Sequence, residues 1–411
     1  MLDDLDGKRT GERIQIIRER KGMSRPVVAG LVGKSAQWLK DIETGRRLPP
    51  RLPMLLRLAD VLGVADLATL LGTDMELHTA VSLPVSSFQR IPHEAVPAVR
   101  EAIHRQTFTP CDPVDVESVR QRTADAWRLW HASPTQHTDV GRILPALIRD
   151  ARAAVRTAEG PVRRTAHTVL AEVYALCEQL LAWTSEPELV MVAADRGVTS
   201  AQEADQPESL AGAAWVLGNV HRAKGDFDTA LTLVTDAAKI LRPRLEHGPN
   251  SLRAIWGSLH LHAAITCARA GRDGDAWHYW QQANDTANKL GSYLHPWTQF
   301  GAANVAVHAV SIGADLSKST TARERAEQVD PDTIPSLERR SRLLIETARS
   351  YHLKRDYSGT LDWLRQAHQV SREAVHYSPL ARQMAADVVD HGGPLIERKA
   401  RGFAQTLGLP V

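Results

Sequence analysis

The stretch that decides the fold reads Met23-Ser24-Arg25-Pro26-Val27-Val28-Ala29-Gly30-Leu31-Val32-Gly33-Lys34-Ser35 and resumes as Trp38-Leu39-Lys40-Asp41-Ile42-Glu43-Thr44-Gly45-Arg46-Arg47. Ser24 offers a capping hydroxyl, Pro26 fits the first turn of a helix, and Val28, Ala29 and Val32 give that helix an apolar face. Gly33 breaks it, Ser35 caps again, and Ala36 to Glu43 forms a third helix with Leu39 and Ile42 inward, stopped at Thr44-Gly45. Working outward, Gly11 to Lys21 is a first helix carrying Ile14 and Ile17 on one side, with the Leu5 region, and Arg13, Arg18 and Arg20 on the other. Gly22 ends it. Pro53 starts a fourth, with Leu55, Leu56, Leu58, Ala59 and Leu62 as its apolar face, ending at Gly63.

Two short helices joined by a tight glycine-containing turn make a helix-turn-helix. The spacing of Ser24, Ala29, Gly33, Ser35, Ile42, Glu43 and Gly45, with the leucine-rich fourth helix, resembles the lambda-repressor-like, xenobiotic-response-element family of regulators. The family often has Gln where Arg25 stands and a small residue where Trp38 stands. The resemblance implies a five-helix N-terminal domain whose third helix enters the DNA major groove. With Leu39 and Ile42 committed to the core, Ser35, Ala36, Gln37, Lys40 and Asp41 project outward. Gln37 is the best base reader, since an amide pairs with adenine N6 and N7 together, and Ala36 suits a thymine methyl. Arg25, Lys34, Lys40, Arg46 and Arg47 are candidates for phosphate contact, with Thr44 completing the DNA-facing set. Asp41 either accepts from cytosine or pairs with a nearby Arg.

Charge supports a polyanion partner at this end. Between Gly7 and Arg57 stand 13 Lys or Arg against four acidic residues, a local excess of +9, whereas the whole chain carries only +2. Arg outnumbers Lys 40 to 10, a bias that points to a GC-rich bacterial genome. Three scattered cysteines, Cys111, Cys177 and Cys267, form no CxxC pair and read as reduced thiols. The charged start and the lack of any long apolar run predict a cytoplasmic protein with no membrane partner.

A chain of 411 residues suits more than one domain. Boundaries are expected at 7–72 for the DNA-binding domain, 73–115 for a proline-punctuated connector with one helix over Glu94 to Arg105, and 116–411 for a helical sensor and dimerisation domain. Val116 to His131, Asp139 to Glu159 and Arg164 to Trp183 read as helices. Then a period emerges: Leu217-Gly218, His221, Gly225-Asp226-Phe227, Ala230 and Ala237; Ala263-Ala264, Gly271, Ala276, Trp280 and Ala283; Val305-Ala306, Ala309 and Gly313; Thr347-Ala348, Tyr351, Asp356-Tyr357 and Ala367. The copies resemble tetratricopeptide units, their turns recurring somewhat more widely than the standard 34 residues. The expected fold class is therefore all-α, a helix-turn-helix domain plus a tetratricopeptide-like α-solenoid.

The whole plan resembles actinobacterial regulators that join these two parts and, more broadly, peptide-pheromone-sensing regulators of Gram-positive bacteria. The resemblance implies an extended peptide in the concave groove, held by Asn side chains. Candidate groove residues from the first helix of each pair are Trp215, Asn219 and Arg222, then Trp297, Phe300, Asn304 and His308, then Arg349 with His352. Phe300, Asn304 and His308 are spaced by four and expected on one helix face.

No GxxxxGKS/T, GxSxG, HExxH or GxGxxG run occurs, and His260 and His262 fall on different helix faces, so no catalytic centre, metal site or cofactor is expected. The leading expectation is a dimeric, DNA-binding transcriptional regulator whose repeats sense a peptide or small molecule. The alternatives are a DNA-docked adaptor whose repeats bind a protein, and an antitoxin or phage-type repressor, against which the long repeat domain argues.

Overall fold

The computed structural model describes residues 5, 7–50, 52–64, 67–72, 91–105 and 111–409, and their regular secondary structure is entirely helical. The chain forms two compact units, one within residues 1–89 and one comprising most of residues 90–411. Pro84 and Pro110 of the expected connector lie outside the described residues.

In the first unit, α1 (Thr10–Arg20), α2 (Arg25–Leu31), α3 (Ala36–Glu43) and α4 (Leu52–Val61) are followed by a 3-10 turn at Leu67–Thr69. The punctuation is local chemistry. Gly33 takes a φ of 70°, and Lys34 N–H then donates to the Ala29 carbonyl at 2.8 Å, closing the turn between α2 and α3. Ser35 accepts from Trp38 N–H at 3.1 Å and caps α3. Ser24 sits at the α2 N-cap in extended conformation, but its hydroxyl makes no capping bond. Gly11 has a packing reason: a Cβ there would lie 2.0 Å from the Ile42 carbonyl oxygen, so only glycine lets α1 meet α3 this closely. Leu5, Ile14, Ile17, Val28, Ala29, Val32, Leu39, Ile42, Leu55, Leu58, Ala59 and Leu62 are buried in one core, with Leu67, Leu70 and Leu71 added from beyond α4.

The second unit begins with α5 (Val96–His104), α6 (Val116–Ala132), α7 (Gln136–Thr157), α8 (Gly160–Leu181) and α9 (Pro187–Ala204). These five share a core that includes Val99, Ile103, Trp127, Leu144, Ile148, Leu176 and Ala193. Four helix pairs follow: α10 (Pro207–Ala223) with α11 (Phe227–Leu241), α12 (Asn250–Arg269) with α13 (Asp273–Leu290), α14 (Ala302–Asp315) with α15 (Ser319–Glu327), and α16 (Leu337–His352) with α17 (Tyr357–Val370). The chain ends with α18 (Arg372–His376), α19 (Pro379–His391) and α20 (Glu397–Thr406). Each pair turns through a left-handed residue, in order Gly225, Gly271, Ser317 and Arg355. Asp226 and Asp356 then cap the second helix of their pairs. Gly313, expected at the third turn, instead lies inside α14, where a Cβ would press within 3.1 Å of Ala322 on α15.

First helices of successive pairs stack on one another, and α12 is buried on nearly every side. The stack also closes on its beginning. Glu373 on α18 accepts from His137 N–H at 2.7 Å, Thr138 N–H at 3.1 Å and the Thr138 hydroxyl at 2.5 Å, so a carboxylate late in the chain caps the start of α7. Ser371 Oγ donates to Gln136 Oε1 at 2.9 Å. His131 on α6 bridges Ser336 Oγ and the Trp297 carbonyl, both at 3.0 Å.

Candidate functional site

In the first unit the outer face of α3 carries exposed Gln37 and Lys40, with Ala36 and Asp41 half-buried. Gln37 Nε2 donates to Asp41 Oδ1 at 2.7 Å. Asp41 therefore pairs with the Gln37 amide one turn earlier on α3, a partner other than the cytosine or arginine between which the expectation stood. That bond uses one amide hydrogen and leaves the other, with Oε1, to face outward, so Asp41 sets how Gln37 is presented. Thr44 is exposed, and its Oγ1 donates back along the helix to the Lys40 carbonyl at 2.8 Å. Lys34, Ser35, Arg46 and Arg47 are exposed around the same helix, whereas Trp38 packs half-buried against the core. An open groove runs between the starts of α2 and α3, lined by Arg18, Glu19, Ser24, Arg25, Pro26, Ala36, Gln37 and Lys40.

Beneath this face lies a cluster of Arg18, Arg25 and Glu43. Arg18, expected on the outer side of α1, is 5% exposed, and Glu43 is 2% exposed. Arg18 donates to Glu43 through Nε at 2.6 Å and Nη2 at 3.1 Å. Arg25 Nε donates to the same carboxylate at 2.5 Å. Arg25, expected at phosphate, thus has its guanidinium engaged with Glu43. The hydrogen bond to Glu43 holds the Arg18 guanidinium above its ordinary range. One buried carboxylate at the end of α3 ties together α1, the start of α2 and the outward-facing helix itself. A signal was present: Arg18 lies four residues after Ile14, on the apolar stripe of α1, and a charge there requires a buried partner.

In the second unit, the expected groove residues separate into two groups. Phe300 is fully buried: a Cβ on Gly257 would lie 2.0 Å from its ring, so the pair interlocks in the core. It also precedes α14, which starts at Ala302 after extended Gly301, so the spacing of four does not place Phe300 on the face of Asn304 and His308. Asn304 is buried, and its Nδ2 donates to the Thr298 carbonyl at 3.2 Å, fastening the 291–301 loop. These two are packing and loop-fastening residues. Of the remaining residues, Trp215, Asn219, Arg222, His308 and Arg349 lie on the first helices of their pairs, and Trp297 comes from the 291–301 loop. Half-buried Trp215 and Trp297 meet edge to face at 5.8 Å, and Trp297 lies against Trp127 at 5.6 Å. One turn beyond Trp215, Asn219 Oδ1 accepts from Arg222 Nη2 at 2.7 Å.

Around Arg222 stands a charged network. Arg349 Nη1 meets Asp315 at 2.6 Å and Glu346 at 3.3 Å, Arg269 meets Asp315 at 3.4 Å, Arg342 meets Glu346 at 3.0 Å, and Arg339 meets Glu338 at 3.3 Å. Burial alone would raise the Asp315 carboxyl, but Arg269 and Arg349 hold it below its usual range. Burial would lower Arg349, but Glu346 and Asp315 raise it. Burial, with Arg269 and Arg342 nearby, pushes Arg222 down to about 9. His308, whose Nδ1 lies 2.7 Å from the Asn304 carbonyl, is held neutral by burial and by Arg339 and Arg342, at about 3. His352 pairs with Asp387 at 3.1 Å, away from this network.

Among the described residues no group of three or more His, Cys, Asp or Glu could hold a metal ion, and no helix is long and apolar enough to cross a membrane.

Residues 9–74 match a family model described as a helix-turn-helix domain. A comparison with curated proteins finds no match. Among solved structures the chain is similar to BtubC from P. vanneervenii, with 15% identity over 62% of this chain and 91% of that one, at a TM-score of 0.36. It is also similar to Bacillus thuringiensis PlcR, solved with the peptide PapR7 and DNA, with 9% identity over 86% and 98% of the two chains, at a TM-score of 0.31. A third similarity is to a Rap protein complexed with Competence and Sporulation Factor, with 11% identity over 90% and 99%, at a TM-score of 0.41.

Proposed function

We propose that this chain is a sequence-specific transcriptional regulator that reads duplex DNA with α3 and senses a peptide or small molecule on the inner face of its repeats. The observation that carries the reading is the presentation of α3. A core-anchored helix, pinned by buried Glu43, turns Gln37 and Lys40 outward between exposed Lys34, Arg46 and Arg47. Exposed cations around a helix of this size supply non-specific attraction to phosphates, and the Gln37 amide, oriented by Asp41, supplies base discrimination. The helix-turn-helix match over residues 9–74 supports the same assignment.

The protein acts as a homodimer in this reading, because a single helix of this kind covers a short half-site and two must sit about 34 Å apart to address successive turns of one groove. A ligand on the repeats alters DNA affinity by favouring one dimer arrangement over another. The test is selection of binding sites from a random duplex pool by the full chain and by Gln37→Ala. The wild type is expected to enrich a two-fold symmetric motif, with one position in each half-site losing its base preference in the variant. Recovery of an unchanged motif with Gln37→Ala would remove α3 as the reading helix.

A further inference from the structure

We propose that the inner face of the repeats binds an amphipathic organic monoanion, its carboxylate held by Arg222 and its apolar body laid along Trp215 and Trp297. The inference rests on the sensing role proposed above and specifies its ligand class.

Arg222 is the odd member of its network. Each of Arg269, Arg339, Arg342 and Arg349 lies within 3.4 Å of a carboxylate oxygen. Arg222 instead hydrogen-bonds to neutral acceptors, Asn219 Oδ1 at 2.7 Å and the His262 carbonyl at a long 3.5 Å. The charge count agrees. Arg222, Arg269, Arg339, Arg342 and Arg349 stand among the carboxylates of Asp315, Glu338 and Glu346, with Glu178 a further negative charge acting on Arg222, so the guanidiniums outnumber the carboxylates by one. The histidines of the network, His262 and His308, add none, since burial holds both neutral. A guanidinium recognises a planar carboxylate in bidentate fashion, and an excess of one cation matches a monoanion rather than a phosphate dianion.

The apolar half of the ligand follows from the same helix. Trp215 lies seven residues before Arg222, on the same face of α10. It meets Trp297 edge to face at 5.8 Å and the His262 ring at 6.5 Å, and Trp297 covers Gly212, where a Cβ would come within 3.0 Å of the indole. This aromatic wall runs from the fully packed Trp127 toward the charged network, and its half-buried rings present an apolar strip beside the guanidinium. His262 Nε2 is buried on α12 against Gly218, one turn before Arg222 on α10; it has no hydrogen-bond partner among the described residues and sits at the junction of the two halves.

The chemistry could come from a free organic acid or from the terminal carboxylate of a peptide, and the test separates them. The full chain is titrated calorimetrically with 3-phenylpropionate and its amide, with the tripeptide Leu-Leu-Phe carrying a free or an amidated C-terminus, and with inorganic phosphate. At least one carboxylate is expected to bind saturably and ten-fold or more tighter than its amide; the pair that discriminates identifies the source. Asn219→Asp places a carboxylate 2.7 Å from Arg222 without changing side-chain shape. That variant is expected to keep the helical signal and melting temperature of the parent or better, and to lose carboxylate binding at least ten-fold. Arg222→Gln should lose it equally and Arg222→Lys less.

Equal binding of acid and amide, no binding of either carboxylate, tightest binding of phosphate, or undiminished binding by folded Asn219→Asp overturns the assignment. A neutral compound that changes DNA affinity equally in wild type and Arg222→Gln would leave the sensing role standing and remove the anion. A carboxylate that binds through Arg222 without changing DNA affinity would do the reverse.

Discussion

Replacing Glu43 by Ala tests how the DNA-facing helix is held. In the native unit the Glu43 carboxylate accepts three charged hydrogen bonds, two from buried Arg18 and one from Arg25. Removing it leaves the Arg18 guanidinium buried, with the Met23 carbonyl at 2.9 Å and Glu19 at 3.0 Å as its remaining partners. Deleting one partner of a buried pair destabilises by about 3–5 kcal/mol. The two surviving acceptors place this case toward the lower figure, about 3 kcal/mol. For a unit of this size each kcal/mol shifts the midpoint by about 4–8 °C, so a fall of at least 12 °C, or about 4 times 3, is expected. The assay is hydrogen exchange of the full chain under graded denaturant, read separately on peptides from α1–α4 and from α12–α16. Protection should drop in the first set and remain unchanged in the second. The double variant Glu43→Leu with Arg18→Leu should recover most of the loss, since replacing a buried pair by apolar groups is often neutral. A loss below about 1 kcal/mol in Glu43→Ala, the range of an exposed pair, would refute a structural role for the triad.

Other consequences follow from the same contacts. Asp41→Asn should weaken DNA discrimination at the base position read by Gln37 by about 1 kcal/mol while leaving stability within 0.5 kcal/mol, because it changes the partner that orients the Gln37 amide; competition binding against single-base operator variants measures it. Glu373→Ala should free the start of α7 from its distant cap, seen as faster exchange at His137 and Thr138 and a larger radius of gyration by solution scattering. Gly257→Val should lower the melting temperature of the repeats by driving a side chain into the Phe300 ring. Acid should destabilise the repeats in a defined window. Burial lowers His131 to about 4 and His137, His295 and His308 to about 3. With folded values below the unfolded one, near 6.5, these groups take up protons on unfolding, so stability is present above about pH 6.5 and falls as pH drops toward 4. Denaturant midpoints at pH 7, 6 and 5 should decline in that order.

The first unit was legible in the sequence wherever signals are local. Gly22, Gly33 and Gly45 end helices through their left-handed backbone, Ser35 caps the next, and the observed α3 spans Ala36–Glu43. The recurrence of turn and small residues marks the repeats for the same reason, except at the third turn, where Ser317 rather than Gly313 takes the left-handed backbone. What escaped the reading depends on partners distant in sequence or on a local break in periodicity. Arg18 reads as solvent-facing because its partner lies twenty-five residues away. Phe300 reads as a groove residue because a spacing of four presumes one helix, and Gly301 interrupts it. The meeting of α18 with α7 leaves no mark on either segment alone, since Glu373 and His137 become a cap only once the repeats have wound into contact. Arg222 stands out in the sequence by spacing alone, whereas the salt bridges that its neighbours Arg269, Arg339, Arg342 and Arg349 make appear only in the folded chain.

The central claim is that α3 and its surrounding cations engage duplex DNA. The direct measurement is the affinity of the full chain for its selected duplex across a salt series. Lys34, Lys40, Arg46 and Arg47 in each subunit give about 4 phosphate contacts, or about 8 in a dimer, so log K against log salt should fall with a slope near −7. Arg46→Ala should make it shallower by about 2 in a dimer, one contact per subunit. A slope near zero, or no attachment to any duplex at low salt, would contradict the account.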